Sequence, residues 1–255
     1  MTTGIVEPTS APPVAAQPKN VFARMIGVLF APEETFRDIV RRPDITAPLL
    51  ILLVIGYIST FVVMPIMDWD AMVAAQSEQM HKQNPNMSDA DIERASGMVK
   101  KIGGFMGYVG PIFGAVWWVI VAGVLFLGFR LFGGEGTFAQ AFSVTLYSWI
   151  PLTIFSIIMT IVARAKGAFD PTTAATIVKS NPAFLVDMKE KPVLFALLGA
   201  FDIFTLWTIV LLVIGFAVMS RFSKAKSAAI VVSLWLIALV IKIGFAAMSA
   251  MKMKG

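Results

Sequence analysis

Two charged residues stand inside otherwise apolar runs: Asp202 within FDIFTLWTIVLLVIGF and Lys242 within LVIKIGF. A charge in a bilayer is costly and is by default a functional candidate. With Lys224 as the midpoint of the basic turn between the two runs, Asp202 lies 22 residues before it and Lys242 18 after it. At a rise of about 1.5 Å per residue the two depths differ by about 6 Å. An antiparallel hairpin would therefore bring them to one level, as a pair or as two walls of a water-filled cavity. The alternatives are a bridge that only fixes helix register, and a Lys242 that snorkels to the nearer surface.

A second candidate is Tyr147-x-x-x-Pro151. Proline in a helix removes the hydrogen bond to the carbonyl four residues earlier, which here belongs to Tyr147. A carbonyl freed in lipid needs another partner. The spacing predicts a kink, either locked by packing or opening onto a polar pocket.

Other chemistry finds no support. The chain has no cysteine and one histidine, His81, in a polar stretch beside Lys82. Thiol catalysis and multi-histidine metal sites are excluded. Gly133-Gly134-Glu135-Gly136 lacks the Lys-Ser/Thr of a phosphate loop and reads as a tight turn. Asp89, Asp91 and Glu93 alternate along a predicted helix and so do not share a face. No metal or other cofactor is expected, and no catalytic residue can be assigned.

The elements that position these residues are membrane spans. Of 255 residues 57% are hydrophobic and 15% charged, against about 25% charged in an ordinary soluble domain; the mean hydropathy is +0.78. The deficit falls in five long runs, 47–67, 104–132, 137–163, 192–220 and 227–250, each long enough to cross a hydrocarbon core of about 30 Å. The expected fold is all-α, a polytopic bundle of five transmembrane helices. Pro-rich residues 1–18 read as a disordered tail. Residues 19–46 read as two interfacial amphipathic helices: Val21, Phe22, Met25, Ile26, Leu29 and Phe30 on one side, with Lys19 and Arg24 among the polar positions, then Phe36, Ile39 and Val40. They either lie flat on the headgroups or cover the mouth of the bundle.

Between the spans, Ser88-Asp89-Ala90-Asp91 reads as a capping box that starts a helix. Asp170-Pro171 is expected to cap a short helix that Asn181-Pro182 stops. Trp117 and Trp118 fall too deep for an interfacial belt and are expected between helices. Arg37, Arg41 and Arg42 precede the first span and Asp68 and Asp70 follow it, which favours an N-terminus inside. The net charge of +5 suits anionic headgroups. The basic residues are scattered through short loops, so nucleic acid is not an expected partner.

Three stretches together resemble the Yip1-domain family of five-span membrane proteins in its bacterial branch. They are FARMIGVLFAPEETFRDIVRRPD (22–44), GGEGTFAQAFSVTLYSWIP (133–151) and FDIFTLWTIVLLVIGF (201–216), with Gly133, Gly134, Asp202 and Trp207 at motif positions. The resemblance implies a helical bundle in the bacterial inner (cytoplasmic) membrane with a cytoplasmic N-terminus. The small-GTPase association of eukaryotic relatives does not carry over, because the polar loop 68–103 is long and nothing points to a GTPase. Two functions remain open. One is a non-enzymatic organiser that binds lipids, a membrane-protein partner or a second copy. The other is a transporter or channel-like protein built around Tyr147, Pro151, Asp202 and Lys242.

Overall fold

The computed structural model describes residues 19–84, 86, 88–169, 174–188 and 190–252. The tail expected at 1–18 and the Asp170-Pro171 cap lie outside the described residues. Among the described residues the regular elements are all helices, joined by turns and short irregular segments, with an isolated bridge between Met67 and Phe169. Five segments are long and apolar enough to cross a membrane: Thr46–Ile66, Ala90–Leu131, Phe138–Lys166, Ile203–Ser220 and Lys224–Met248. The protein is therefore an all-α polytopic membrane protein. We call proximal the face that carries the N-terminal helices and the turns at 132–137 and 221–223, and distal the opposite one.

Two short helices come first, α1 (Val21–Phe30) and α2 (Pro32–Arg41). Asn20 caps α1 by accepting from the Ala23 amide, and Pro32 opens α2 at a position where no donor is needed. Span one is α3 (Thr46–Val63), extended by a 3-10 turn to Ile66. It turns Leu50, Val54, Ile58 and Phe61 outward, the lipid-facing stripe of a helix with one packed side.

Span two continues the helix that Ser88 begins. Ser88 accepts from the Asp91 amide, as the capping pattern predicts, and α5 then runs unbroken from Asp89 to Leu131, 43 residues. At ~1.5 Å each this is about 64 Å, twice the hydrocarbon thickness. The distal excess pairs with α4 (Trp69–Gln83) through an ion pair between Lys100 and Asp70 (2.6 Å) and a Ser77–Ser96 hydroxyl contact (3.3 Å). Gly103 and Gly107 do not break α5. A Cβ at each would lie 2.6 Å from the Trp69 ring and 2.5 Å from Met64 Sδ, so they seat neighbours instead. Of the two tryptophans, Trp118 packs inward beside Leu52 and Leu146, whereas Trp117 is exposed to the lipid side.

Span three is broken, as its proline predicts: α6 (Phe138–Ser148) and α7 (Ile150–Lys166) meet at Trp149, with Pro151 in the first turn of α7. After α8 (Ala174–Ile177) and a 3-10 turn capped by Asn181, α9 (Pro192–Leu198) precedes α10 (Ile203–Ser220). The single span read at 192–220 is thus two helices. The break has a local cause: the Asp202 carboxylate accepts from the Phe204 and Thr205 amides, a cap that starts a new helix. Finally α11 (Lys224–Lys252) packs on α9 and α10.

The core sits toward the proximal side. Val28, Phe36 and Ile39 of the N-terminal helices are fully buried with Phe129, Val144, Tyr147, Leu211 and Phe216. The N-terminal helices cover the mouth of the bundle. Helix α1 still turns Phe22, Ile26 and Phe30 outward, an apolar edge suited to the headgroup–acyl boundary.

Candidate functional site

The polar groups that the bundle gathers most tightly lie where α1 and α2 meet α6. Arg24 is 5% exposed, although its place on an amphipathic helix reads as solvent-facing. Its Nε donates to Asp38 Oδ2 at 2.8 Å and a terminal nitrogen donates to the Arg42 carbonyl at 3.1 Å. One guanidinium thus ties the first turn of α1 to the end of α2. Pairing is what allows a charge to be buried at all.

Asp44, just before span one, continues the chain of contacts. Oδ1 accepts from the Ala47 amide at 3.3 Å, Oδ2 faces the Tyr147 hydroxyl at 3.5 Å, and the Asp44 carbonyl accepts from Ser143 Oγ at 2.9 Å. Arg24 also lies close to that tyrosine hydroxyl. One turn earlier on α6, Gln140 Nε2 donates to the Val40 carbonyl at 2.8 Å, while its Oε1 accepts from the Thr137 amide. Thr137 and Gln140 form a reciprocal capping box. The T-F-A-Q spacing carries that signal, which a reading of the stretch as a turn overlooks. Gly215 completes the joint: a Cβ there would lie 2.5 Å from Val144 Cγ1 and 3.1 Å from the Phe36 ring.

The remaining sequence candidates fall elsewhere. Pro151 is buried in the break after Tyr147. Asp202 is 6% exposed and takes a third donor, the Ser180 hydroxyl, so it holds the distal loop onto α10. Lys242 is exposed. Among the described residues it makes no ion pair with Asp202. The neighbour of Asp202, Phe201, meets Trp235 of α11 edge-on at 5.9 Å, seven residues short of Lys242, or about 10 Å along the helix. Tyr147 and Pro151 are thus brought together with each other, but not with Asp202 or Lys242. Gly133 has φ 82° in the proximal turn, and Gly134 donates to the Phe129 carbonyl at 2.8 Å. Trp207 is partly exposed on α10.

That turn is tied to the α10–α11 corner. The Glu135 amide donates to the Ser220 carbonyl at 3.4 Å, Arg221 pairs with Glu135 at 3.2 Å, and Lys226 donates to the Phe132 carbonyl at 3.1 Å. At the proximal end of α11, Lys224 reaches Glu33 of α2 at 2.5 Å. The Lys224 contact, with the charges of Lys224 and Arg37, holds the Glu33 carboxyl below its ordinary value near 4.5.

Two cavities open in the distal half. One, of about 350 Å³, lies among α3, α5 and α7 under Met64, Met67 and Phe169. The other, of about 790 Å³, is a lateral groove between α3 and α7 that ends at Arg164. They share Ser59 and Thr160, and neither is lined by Tyr147, Pro151, Asp202 or Lys242. Among the described residues no three His, Asp or Glu side chains come together as a metal-binding set.

The chain as a whole is similar in sequence to known proteins. The "Membrane protein YknW" of Bacillus subtilis (strain 168) is 25% identical over 195 residues, 75% of this chain and 76% of that protein. No solved structure matches. The Yip1 domain family model matches residues 26–245, which takes in α2, the polar staple at Asp44, Gln140 and Tyr147, the first four spans, most of the fifth and Asp202. On that match the chain belongs to the Yip1 domain family.

Proposed function

We propose that this protein is a non-enzymatic organiser of the bacterial cytoplasmic membrane, a scaffold for lipids and membrane partners with its proximal face in the cytoplasm. The observation that carries the reading is the use made of the polar groups at the proximal joint and of Asp202. Arg24, Asp44, Gln140, Ser143 and Tyr147 are spent on fastening the N-terminal helices to the bundle. Asp202 is spent on capping α10 and holding the distal loop. Groups so engaged make a rigid joint rather than a path for a solute. The basic approach to span one at Arg37, Arg41 and Arg42, against Asp68 and Asp70 beyond it, supports the orientation.

The cysteine-free chain gives a clean test with a membrane-impermeant thiol reagent. In intact cells His81→Cys, on the exposed distal hairpin, is expected to label, and Ser223→Cys only after the membrane is opened. Ser148→Cys, at a fully buried position beside the break in span three, should stay unlabelled until the protein is denatured. Labelling of Ser148→Cys in the intact membrane would replace the scaffold by the alternative, a transporter with a hydrated route past Tyr147 and Pro151.

A further inference from the structure

We propose that the lateral groove between α3 and α7 holds one anionic phospholipid of the distal leaflet, its phosphate on Arg164. The inference rests on the reading of the protein as a lipid-interacting scaffold and names the lipid class and the place. The groove has the polarity of an amphiphile. Its cationic end is Arg164, in the last turn of span three, at the depth of the headgroups. From there its walls run inward over Ile161 and Ile157 on α7 and Val62, Ile58 and Ile55 on α3. Two turns of helix give about 10 Å of apolar track.

Arg164 is exposed and, among the described residues, has no carboxylate partner. A guanidinium at a membrane surface without a counter-ion is a ready phosphate ligand. Ser59 stands at the seam shared with the inner cavity. The Thr160 hydroxyl beside it donates to the Ser156 carbonyl at 2.8 Å. That leaves Ser59 as the hydroxyl placed to donate to a lipid ester carbonyl. A volume of about 790 Å³, with about 350 Å³ behind it, lies in the range that holds a ligand rather than a water.

The test is lipid retention by the full-length protein, read by native mass spectrometry after identical detergent washes of proteoliposomes made with phosphatidylglycerol or phosphatidylcholine. Wild type is expected to keep phosphatidylglycerol at least about fivefold better, the worth of one basic residue at a membrane surface. Arg164→Gln should erase the preference. Ile161→Trp, which fills the groove from an exposed position, should lower retention of both lipids. Lys166→Gln, on the same turn, should leave the preference standing. Equal retention of the two lipids by wild type, a preference that survives Arg164→Gln, or undiminished retention in Ile161→Trp would each overturn the site. An equal loss in Lys166→Gln would reduce it to diffuse surface charge and overturn it as well. Leakage of a trapped dye from the same vesicles would count against the scaffold and leave the groove result intact, so the two readings fail separately.

Discussion

The proximal and distal halves of this bundle are built on different principles. Among the spans, α10 has 44% of its most apolar stretch buried and span three 33%, against 11% for span one and 17% for span two. The N-terminal helices make that difference. Phe36 and Ile39 fill the mouth of the bundle, and Arg24, Asp44, Gln140 and Tyr147 fasten them to it. Among the described residues no pair of helices fills the distal side in the same way; there one cavity opens among α3, α5 and α7 and a second between α3 and α7. One end is closed by packed protein, and the other is open to lipid.

The contrast can be broken most directly at Arg24. Arg24→Met leaves the buried side of the joint with an unpaired Asp38 and is expected to cost about 3 kcal/mol, measured by denaturation in micelles. The exposed distal pair should tell a different story, with Lys100→Met costing less than about 1 kcal/mol. Equal costs would erase the distinction between the halves.

Glycines give the next largest effect. Gly215→Leu drives a side chain into Val144 and Phe36 and should cost about 1–3 kcal/mol, with loss of monodisperse protein on size exclusion. Gly114→Leu on α5, where a Cβ would meet nothing within 4 Å, should be tolerated. Asp202→Ala removes a helix cap and should cost about 1 kcal/mol. Asp202→Asn keeps the cap acceptor and should retain most of the stability, whereas a cavity charge would be lost equally in both.

The smallest effect is the pH response of the Glu33–Lys224 pair. The Glu33 carboxyl is held below its ordinary value by Lys224 and Arg37, so the folded state binds its proton less readily than the unfolded one. Its contribution is complete above about pH 4.5 and fades as the pH falls through the lower folded value. Thermal melts across that window should lose this component in Lys224→Gln.

The sequence carried the number of spans, the break at Pro151 and the cap at Ser88, because each rests on a run, a single proline or a four-residue spacing. The staple was hidden for a physical reason. Arg24 and Asp38 are 14 residues apart and Tyr147 and Asp44 are 103 apart, so no local period connects them. A lone arginine on an amphipathic helix carries no sign of being buried. Asp202 misled differently. In an apolar run it reads as an intramembrane charge, but an Asp immediately before an apolar helix is also an N-cap signal, and here the cap prevailed. With the helix starting at Ile203, Asp202 stands at the end of the span rather than inside it, and its neighbour Phe201 meets Trp235, seven residues short of Lys242.

Mechanically, α5 is a beam. It runs without a break from Ser88 at the distal tip to the turn at Phe132, and that turn is bound to the α10–α11 corner by Lys226, Arg221 and Ser220. Midway, Pro111 rests against Gly56 of α3, the place of a fulcrum, with a Cβ at Gly56 falling 3.5 Å from the proline ring. A load on the distal hairpin is therefore carried along the whole length of α5 to the corner where Lys224 holds Glu33 of α2.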